Sequence, residues 1–145
     1  MKLATKRLSA AGALAVSAAL VLTGCTTGGD DTAAGGGDTG NLTVTFLPKN
    51  LGNPYFEASS VGGQAAATEF GGTFAEVGPS EATPDAQVSY INTLTQQGVG
   101  GIVIAANDPE AICDALNEAR DAGTKVVTFD SDTNPECRDL FINQA

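Results

Sequence analysis

The sequence predicts an α/β protein, a three-layer αβα sandwich built on a doubly wound parallel sheet. Three observations support this prediction. Apolar, β-branched segments alternate with amphipathic ones from Leu42 onward. Each predicted helix begins at a polar residue followed by proline. The helical connections are long enough to join parallel strands, and right-handed crossovers then place helices on both faces of the sheet.

Five segments have the composition of β-strands. The first ends in a proline, and the third is apolar throughout, as is typical of a strand that is covered on both faces. The predicted strands are Leu42–Pro48, Thr73–Val77, Gly101–Ala105, Lys125–Phe129 and Leu140–Ile142.

Three helices are predicted between the strands, each with an N-cap residue followed by proline at the first helical position. The starts are Asn53-Pro54, Thr83-Pro84 and Asp108-Pro109. Glycine is predicted to end each helix: after about Phe70 in the first, at Gly98 in the second and at Gly123 in the third. The first helix has apolar positions at Phe56, Ala66, Ala67 and Phe70. The second is expected to carry Val88, Ile91, Leu94 and Thr95 on one face, and the third to carry Ile112, Leu116 and Ala119 on its inner stripe.

The N-terminus has the pattern of an export signal. Lys2, Lys6 and Arg7 precede an uncharged, mostly apolar stretch from Leu8 to Leu22. As a helix that stretch would be about 22 Å long, which is short for a membrane span. Leu22-Thr23-Gly24-Cys25 resembles a bacterial lipobox, so residues 1–24 are predicted to be a lipoprotein signal peptide and Cys25 to carry the lipid. The alternative is an ordinary secretory signal with a chance cysteine.

Residues 25–40 are predicted to be the lipidated cysteine and a flexible tether. Thr26–Gly40 contains six glycines, three aspartates and no large apolar residue. Such a composition buries too little apolar surface to offset the entropy cost of ordering. The folded part is therefore expected over residues 41–145, held outside the cell membrane by the lipid.

Composition and motifs exclude several functions. The chain has 7 basic and 17 acidic residues and a net charge of −10, which disfavours nucleic-acid binding. It has no histidine, and neither nucleotide-phosphate loops nor a GxSxG nucleophile motif is found. We therefore expect a protein that is not an enzyme, with no catalytic residue, no cofactor and no metal.

The candidate ligand site lies where the predicted strands end, because doubly wound sheets bind ligands beyond the carboxyl ends of their strands. Carboxylates and amides there suit the hydroxyl groups of a polyol, and an aromatic ring suits its C–H face. The candidates are Lys49, Asn50, Asn53, Tyr55, Phe56, Asn107, Asp130, Asp132 and Gln144.

Several of these residues have structural alternatives. Asn53 and Asp108 are also expected as helix caps, Asp132 as a turn residue, and Tyr55 and Phe56 cannot both face a ligand. Lys49 and Asp130 come near each other if the first and fourth strands flank the switch point of the sheet. The alternative role of that pair is an ordinary salt bridge.

Two cysteines remain when Cys25 is lipidated. Cys113 and Cys137 are expected to form a disulfide in an oxidising compartment, and two buried thiols are the alternative.

The residues also resemble a known family. FLPKNLGNPYFEA, QVSYINTLTQQGVGGIVIAANDPEAICDAL and GTKVVTFDSDTNPECRDLFINQ together resemble the sugar-type substrate-binding proteins of ABC importers, which have the type I periplasmic-binding fold. The nearest branch comprises rhamnose-binding and autoinducer-2-binding proteins. The resemblance implies that Lys49 and Asp130 contact ligand, that an aromatic of GNPYF lies against the sugar, that the two cysteines match that branch, and that ABC permease subunits are the partner.

The resemblance also implies two lobes, whereas this chain ends just after the fifth predicted strand. Residues 41–145 are therefore expected to be an N-terminal lobe, from either a fragment or a truncated gene. Two other functions stay open: a ligand-sensing protein of the same fold, such as one that feeds a signalling receptor, and a lobe of an extracellular hydrolase or aldolase.

Overall fold

The computed structural model of the protein describes residues 42–144, so the predicted signal peptide, lipidated cysteine and tether lie outside the described residues. The elements are β1 (Thr43–Leu47), α1 (Pro54–Glu69), β2 (Thr73–Glu76), α2 (Pro84–Gln97), β3 (Gly101–Ile104), α3 (Cys113–Asp121), β4 (Lys125–Phe129) and β5 (Leu140–Ile142). A short 3-10 turn covers Pro135–Cys137. None of the helices in this part of the chain has the length and apolar character that a membrane span requires.

The five strands form one parallel sheet in the order β2-β1-β3-β4-β5. This arrangement confirms the predicted α/β class and the doubly wound sheet. The direction of winding reverses between β1 and β3, because the chain adds β2 on one side and β3 on the other. The first and fourth strands therefore do not flank the switch point, since β3 lies between them.

The sheet carries a different apolar cluster on each face. Residues of α2 and α3 pack with Leu47, Ile102 and Val126 on one face. On the other face, Phe56 of α1 packs with Phe46, Ala105 and Phe129. Neighbouring residues such as Phe46 and Leu47 enter opposite clusters because side chains alternate along a strand. This is the predicted three-layer arrangement, with α1 on one side and α2 and α3 on the other.

The first two helices begin as predicted. The Asn53 side chain accepts a hydrogen bond from the Tyr55 N–H (3.1 Å), and the Thr83 hydroxyl accepts one from the Ala86 N–H (3.4 Å). Gly98 ends α2 in the left-handed region at φ 65°. Two of the apolar positions named for the first helix are not buried: Ala66 is exposed, and Phe70, 64% exposed, lies past the last residue of α1. Ala67 is the residue near this end that is buried.

The third helix begins later than predicted. Asp108 accepts hydrogen bonds from the N–H groups of Glu110 (2.9 Å) and Ala111 (2.8 Å), and α3 starts only at Cys113. These two N–H groups lower the pKa of Asp108 below its ordinary value. Because the carboxylate satisfies a local turn, Asp108 caps that turn and the α-helix follows the fully buried Ile112.

Candidate functional site

Lys49 and Asp130 meet at the carboxyl edge of the sheet. Lys49 lies two residues after β1, and Asp130 directly follows β4. The Lys49 Nζ is 3.6 Å from the Asp130 Oδ2, and the two side chains are 30% and 28% exposed. Asp130 has φ 58°, a left-handed conformation that aspartate adopts more readily than bulkier residues. The two strand ends thus present an accessible ion pair across the end of β3.

Tyr55 and Gln144 extend this pair. Tyr55 lies in the first turn of α1, and its hydroxyl is 3.2 Å from the Asp130 Oδ1 and 2.5 Å from the Gln144 Oε1. As a residue, Tyr55 is 43% exposed. Four of the predicted site residues, Lys49, Tyr55, Asp130 and Gln144, are therefore connected. We call these four residues the edge cluster.

Asp132 is occupied by local partners and does not join the edge cluster. The Arg138 guanidinium donates to both of its oxygens, at 2.7 and 2.9 Å. The Thr128 hydroxyl and the Thr133 N–H also donate to Oδ1. Burial acts to raise the pKa of Asp132, but these donors together hold it below its ordinary value. The structure thus places Asp132 in an ion pair with Arg138, with all of these donors within six residues of it.

Three more predicted residues have structural roles. Asn53 is the N-cap of α1, and the Asn50 amide donates to the carbonyl of Leu51 (3.1 Å). Phe56 is 4% exposed and packs edge-on against Phe129, with ring centroids 6.1 Å apart. Of the two adjacent aromatic rings, only Tyr55 is at the sheet edge. The prediction of Phe56 as a ligand contact is therefore not supported, because the helix turns that ring into the core.

Asn107 lies at the end of β3 and contacts the backbone. Its amide donates to the carbonyls of Lys49 (3.1 Å) and Thr83 (3.3 Å). Its own N–H donates to the Gln87 side chain at 2.8 Å. Gln87 is not among the residues singled out from the sequence, because Val88, Ile91, Leu94 and Thr95 are assigned to one face of this helix. The signal was present: position 87 shares the i, i+4, i+7 stripe with Ile91 and Leu94, where a polar residue is unusual.

The Cys113–Cys137 disulfide expected from the sequence is present in the structure, with the Cα atoms 5.3 Å apart. It joins the start of α3 to the 3-10 turn that precedes Arg138. The disulfide therefore belongs to the same loop region as the Asp132–Arg138 ion pair. Within residues 42–144, the one group of side chains spaced for a metal is Cys113, Glu136 and Cys137, and its two sulfurs are joined to each other.

A separate groove of about 370 Å³ lies between α1 and β2, lined by Ser60, Val61, Gln64, Phe74 and Glu76. It shares no residue with the edge cluster. The Ser60 hydroxyl donates to the Glu76 carboxylate across it (2.7 Å). We give more weight to the edge cluster, because charged and aromatic groups from separate strands and a helix converge there.

Comparison with known proteins identifies the family of this fold. The family model described as the periplasmic binding protein domain matches residues 44–145. The chain belongs to the periplasmic binding protein family. This result confirms the resemblance found in the sequence.

Solved structures of this family agree. A sugar ABC transporter protein from Actinomyces odontolyticus is 55% identical, with a TM-score of 0.70 over 71% of this chain and 33% of that one. LsrB from Clostridium saccharobutylicum, in complex with AI-2, is 39% identical, with a TM-score of 0.69 over 71% of this chain and 32% of that one. A solute-binding protein from Clostridium phytofermentans with bound L-rhamnose is also 39% identical, with a TM-score of 0.70 over 72% and 33%. The chain thus spans about a third of the length of these relatives.

Proposed function

We propose that this chain is a lobe of a solute-binding protein that captures a small sugar-like ligand for an ABC permease. The observation that carries the proposal is the edge cluster. An accessible ion pair, a half-exposed aromatic ring and an amide meet at the sheet edge where this fold class binds ligands. The family matches support a binding function and not catalysis.

The chemistry of the edge cluster suits hydroxyl groups. The Asp130 carboxylate accepts hydrogen bonds from ligand hydroxyls, and charge-assisted bonds of this kind contribute about 1.5–3 kcal/mol each. The Lys49 ammonium donates to a ring or hydroxyl oxygen. The exposed Tyr55 ring offers an apolar face for the C–H groups of a sugar. The ion pair carries no net charge, which favours a neutral polyol over an anion.

We propose a ligand of the rhamnose or autoinducer-2 type. Two relatives with the same 39% identity have different ligands in their structures, AI-2 in one and L-rhamnose in the other. Both ligands are small and rich in hydroxyl groups. The shared chemistry, a compact polyol, is therefore what the edge cluster is proposed to recognise.

An NMR titration of the ¹⁵N-labelled chain tests this function, since it also detects weak binding. L-rhamnose, AI-2 and a panel of other aldoses would be added in turn. We expect the amide resonances of Lys49, Tyr55 and Asp130 to shift in a saturable way. Val61 and Gln64 in the α1–β2 groove are internal controls and should not shift. If no member of the panel shifts the edge resonances, the proposed function is wrong.

We further propose that the protein is held outside the membrane by a lipid on Cys25. The basic start, the apolar stretch and the Leu22–Cys25 box support this location, as does the family, although these residues lie outside the described part of the chain. The test is metabolic labelling with a radioactive fatty acid and membrane fractionation of the wild type and Cys25→Ala. Equal labelling of the two chains would contradict the anchor.

A further inference from the structure

We propose that Gln87 and Asn107 are positioning residues that hold the Lys49 backbone so that its ammonium reaches Asp130. The inference rests on the proposed function, because it concerns the same edge cluster. It adds two residues, Gln87 and Asn107, that bond to the backbone beside the edge cluster. Gln87 lies on α2, one layer away from the strand ends that carry the ion pair.

Gln87 uses its whole side-chain amide at the ends of β1 and β3. The Nε2 group donates to the carbonyl of Ala105 (2.8 Å) and to that of Pro48 (3.3 Å). The Oε1 atom accepts the N–H of Asn107 at 2.8 Å. The side chain is fully buried. One helical residue thus bonds to backbone groups that follow two neighbouring strands.

Asn107 completes the connection to the lysine. Its amide donates to the carbonyl of Lys49 at 3.1 Å and to that of Thr83, the N-cap of α2, at 3.3 Å. The carbonyls of Pro48 and Lys49 are therefore each held by a side-chain amide. The backbone on both sides of the Lys49 Cα is fixed, while its side chain stays free to extend over the end of β3.

The same strand end also fixes the other half of the ion pair. The Ala105 N–H donates to the carbonyl of Leu47 (3.2 Å), and the Ala106 N–H donates to the carbonyl of Ser131 (3.0 Å), next to Asp130. The end of β3 is therefore bonded to the segment before Lys49 and to the segment after Asp130. A shift of Asn107 would move the lysine relative to the aspartate.

The choice of glutamine at position 87 supports a specific role. Its neighbours on the helix stripe, Ile91 and Leu94, are apolar and buried. A leucine or methionine at position 87 would fill the same space but would leave the Asn107 N–H and two carbonyls without this partner, which is costly in a buried site. We infer that the amide is present for its hydrogen bonds to the strand ends.

The test measures the acylation rate of Lys49 relative to Lys125 in the full chain. Lys125 is an exposed lysine at the opposite end of β4 and serves as the internal control. Peptide mass spectrometry after brief treatment with an amine-acetylating reagent gives the ratio. The Lys49 side chain is 30% exposed in the ion pair, and a Lys49 ammonium that is no longer held beside Asp130 is more accessible to the reagent. We therefore expect Gln87→Met and Asn107→Ala each to raise the ratio about threefold. Asp130→Asn should raise it by at least as much.

Ile91→Val is the matched structural control, since it trims the same helix stripe without touching the strand ends. An Ile91→Val ratio equal to that of Gln87→Met would show general loosening and overturn the proposal. An unchanged ratio in Asn107→Ala and in any Gln87→Met that folds would also overturn it. An unchanged ratio in Asp130→Asn would overturn it as well, because the acylation of Lys49 would then not depend on its ion pair with Asp130. If Gln87→Met does not fold, Asn107→Ala alone decides.

A titration with L-rhamnose separates this inference from the proposed function. If the wild type binds L-rhamnose, we expect Asn107→Ala to weaken binding about threefold to tenfold, because a displaced Lys49 would lose its hydrogen bond to the ligand. If the wild type does not bind it, that ligand assignment fails, and the lysine acylation ratios still decide whether Gln87 and Asn107 position Lys49.

Discussion

Asp130 and Asp132 lie two residues apart in one loop, and each pairs with a basic side chain, yet their surroundings differ. Asp132 receives two guanidinium N–H groups, a hydroxyl and a backbone N–H. Asp130 has an ammonium at 3.6 Å, a tyrosine hydroxyl at 3.2 Å and a weak contact from the adjacent Ser131. Its backbone is in the left-handed region, with φ 58°.

The difference supports the proposal that Asp130 serves ligand binding, whereas Asp132 serves the fold. Asp132 has its strongest partners, Thr128 and Arg138, within six residues, so its bonds shape the loop. Asp130 meets Lys49 and Tyr55, which come from far away in the sequence. A carboxylate already saturated with close donors gains little from a ligand, whereas one with long contacts can exchange them for ligand hydroxyls.

The largest effect is expected from the disulfide on the Asp132 side of the loop. Opening Cys113–Cys137, which are 24 residues apart, should lower the free energy of unfolding by about 3 kcal/mol in the chain-entropy model. Thermal melts with and without reductant measure this. A Cys113→Ala/Cys137→Ala variant is the control, because reductant should not change its melting temperature. Two alkylatable thiols in the exported protein would contradict the prediction.

The next effect is expected from the Asp132–Arg138 pair. Asp132→Asn leaves Arg138 without its carboxylate, and we expect a loss of about 2 kcal/mol in the free energy of unfolding. For a domain of this size that corresponds to a fall of roughly 10 °C in melting temperature. Asp139→Asn, in the same loop, is the comparison acid. Its contact to Arg120 is longer (3.6 Å), and an asparagine oxygen can still accept the Val126 N–H that Asp139 accepts at 2.8 Å, so this variant should cost less. Equal losses in the two variants would mean that the bidentate geometry adds nothing.

Asp130→Asn should weaken ligand binding and leave stability nearly unchanged, unlike Asp132→Asn. We expect about tenfold weaker binding of L-rhamnose or AI-2, whichever shifts the edge resonances, while the melting temperature changes by no more than about 2 °C, because exposed ion pairs contribute little to stability. Lys49→Met should behave in the same way. Glu57→Gln, an acid in the first turn of α1, is the charge-matched control and should leave binding intact. A large loss of stability with unchanged affinity would show that the pair is structural.

The smallest effect concerns pH. The pKa of Asp132 is lowered in the fold. Its ionised form therefore stabilises the protein at pH values above the pKa of aspartate in the unfolded chain, about 3.9. This contribution disappears as the pH falls below that value and Asp132 becomes protonated. The difference in melting temperature between the wild type and Asp132→Asn should therefore narrow between about pH 6 and about pH 3. A constant difference would mean that the charge of Asp132 does not contribute.

Much of the fold could be predicted from local sequence signals. The proline that follows Asn53 and Thr83, the glycine at Gly98 and the apolar strands all act within a few residues, so strand and helix positions follow from them. Asp108 shows the limit of such signals, because the same cap-and-proline pattern closes only a turn there. A helix N-cap and a turn at Asp108 would satisfy the same N–H groups. In the fold the turn forms, and Ile112 after it is buried.

The sequence by itself determined that polar residues follow apolar strands at one edge of a parallel sheet, and so where a ligand site would lie. Only the tertiary structure decided which of these residues lie together. It turned Phe56 into the core, gave Asp132 to Arg138, connected Tyr55 to Asp130, and placed Gln87 beneath the strand ends. The physical reason is that these contacts join residues from different elements, and their distances depend on strand order and helix rotation, which no local pattern specifies.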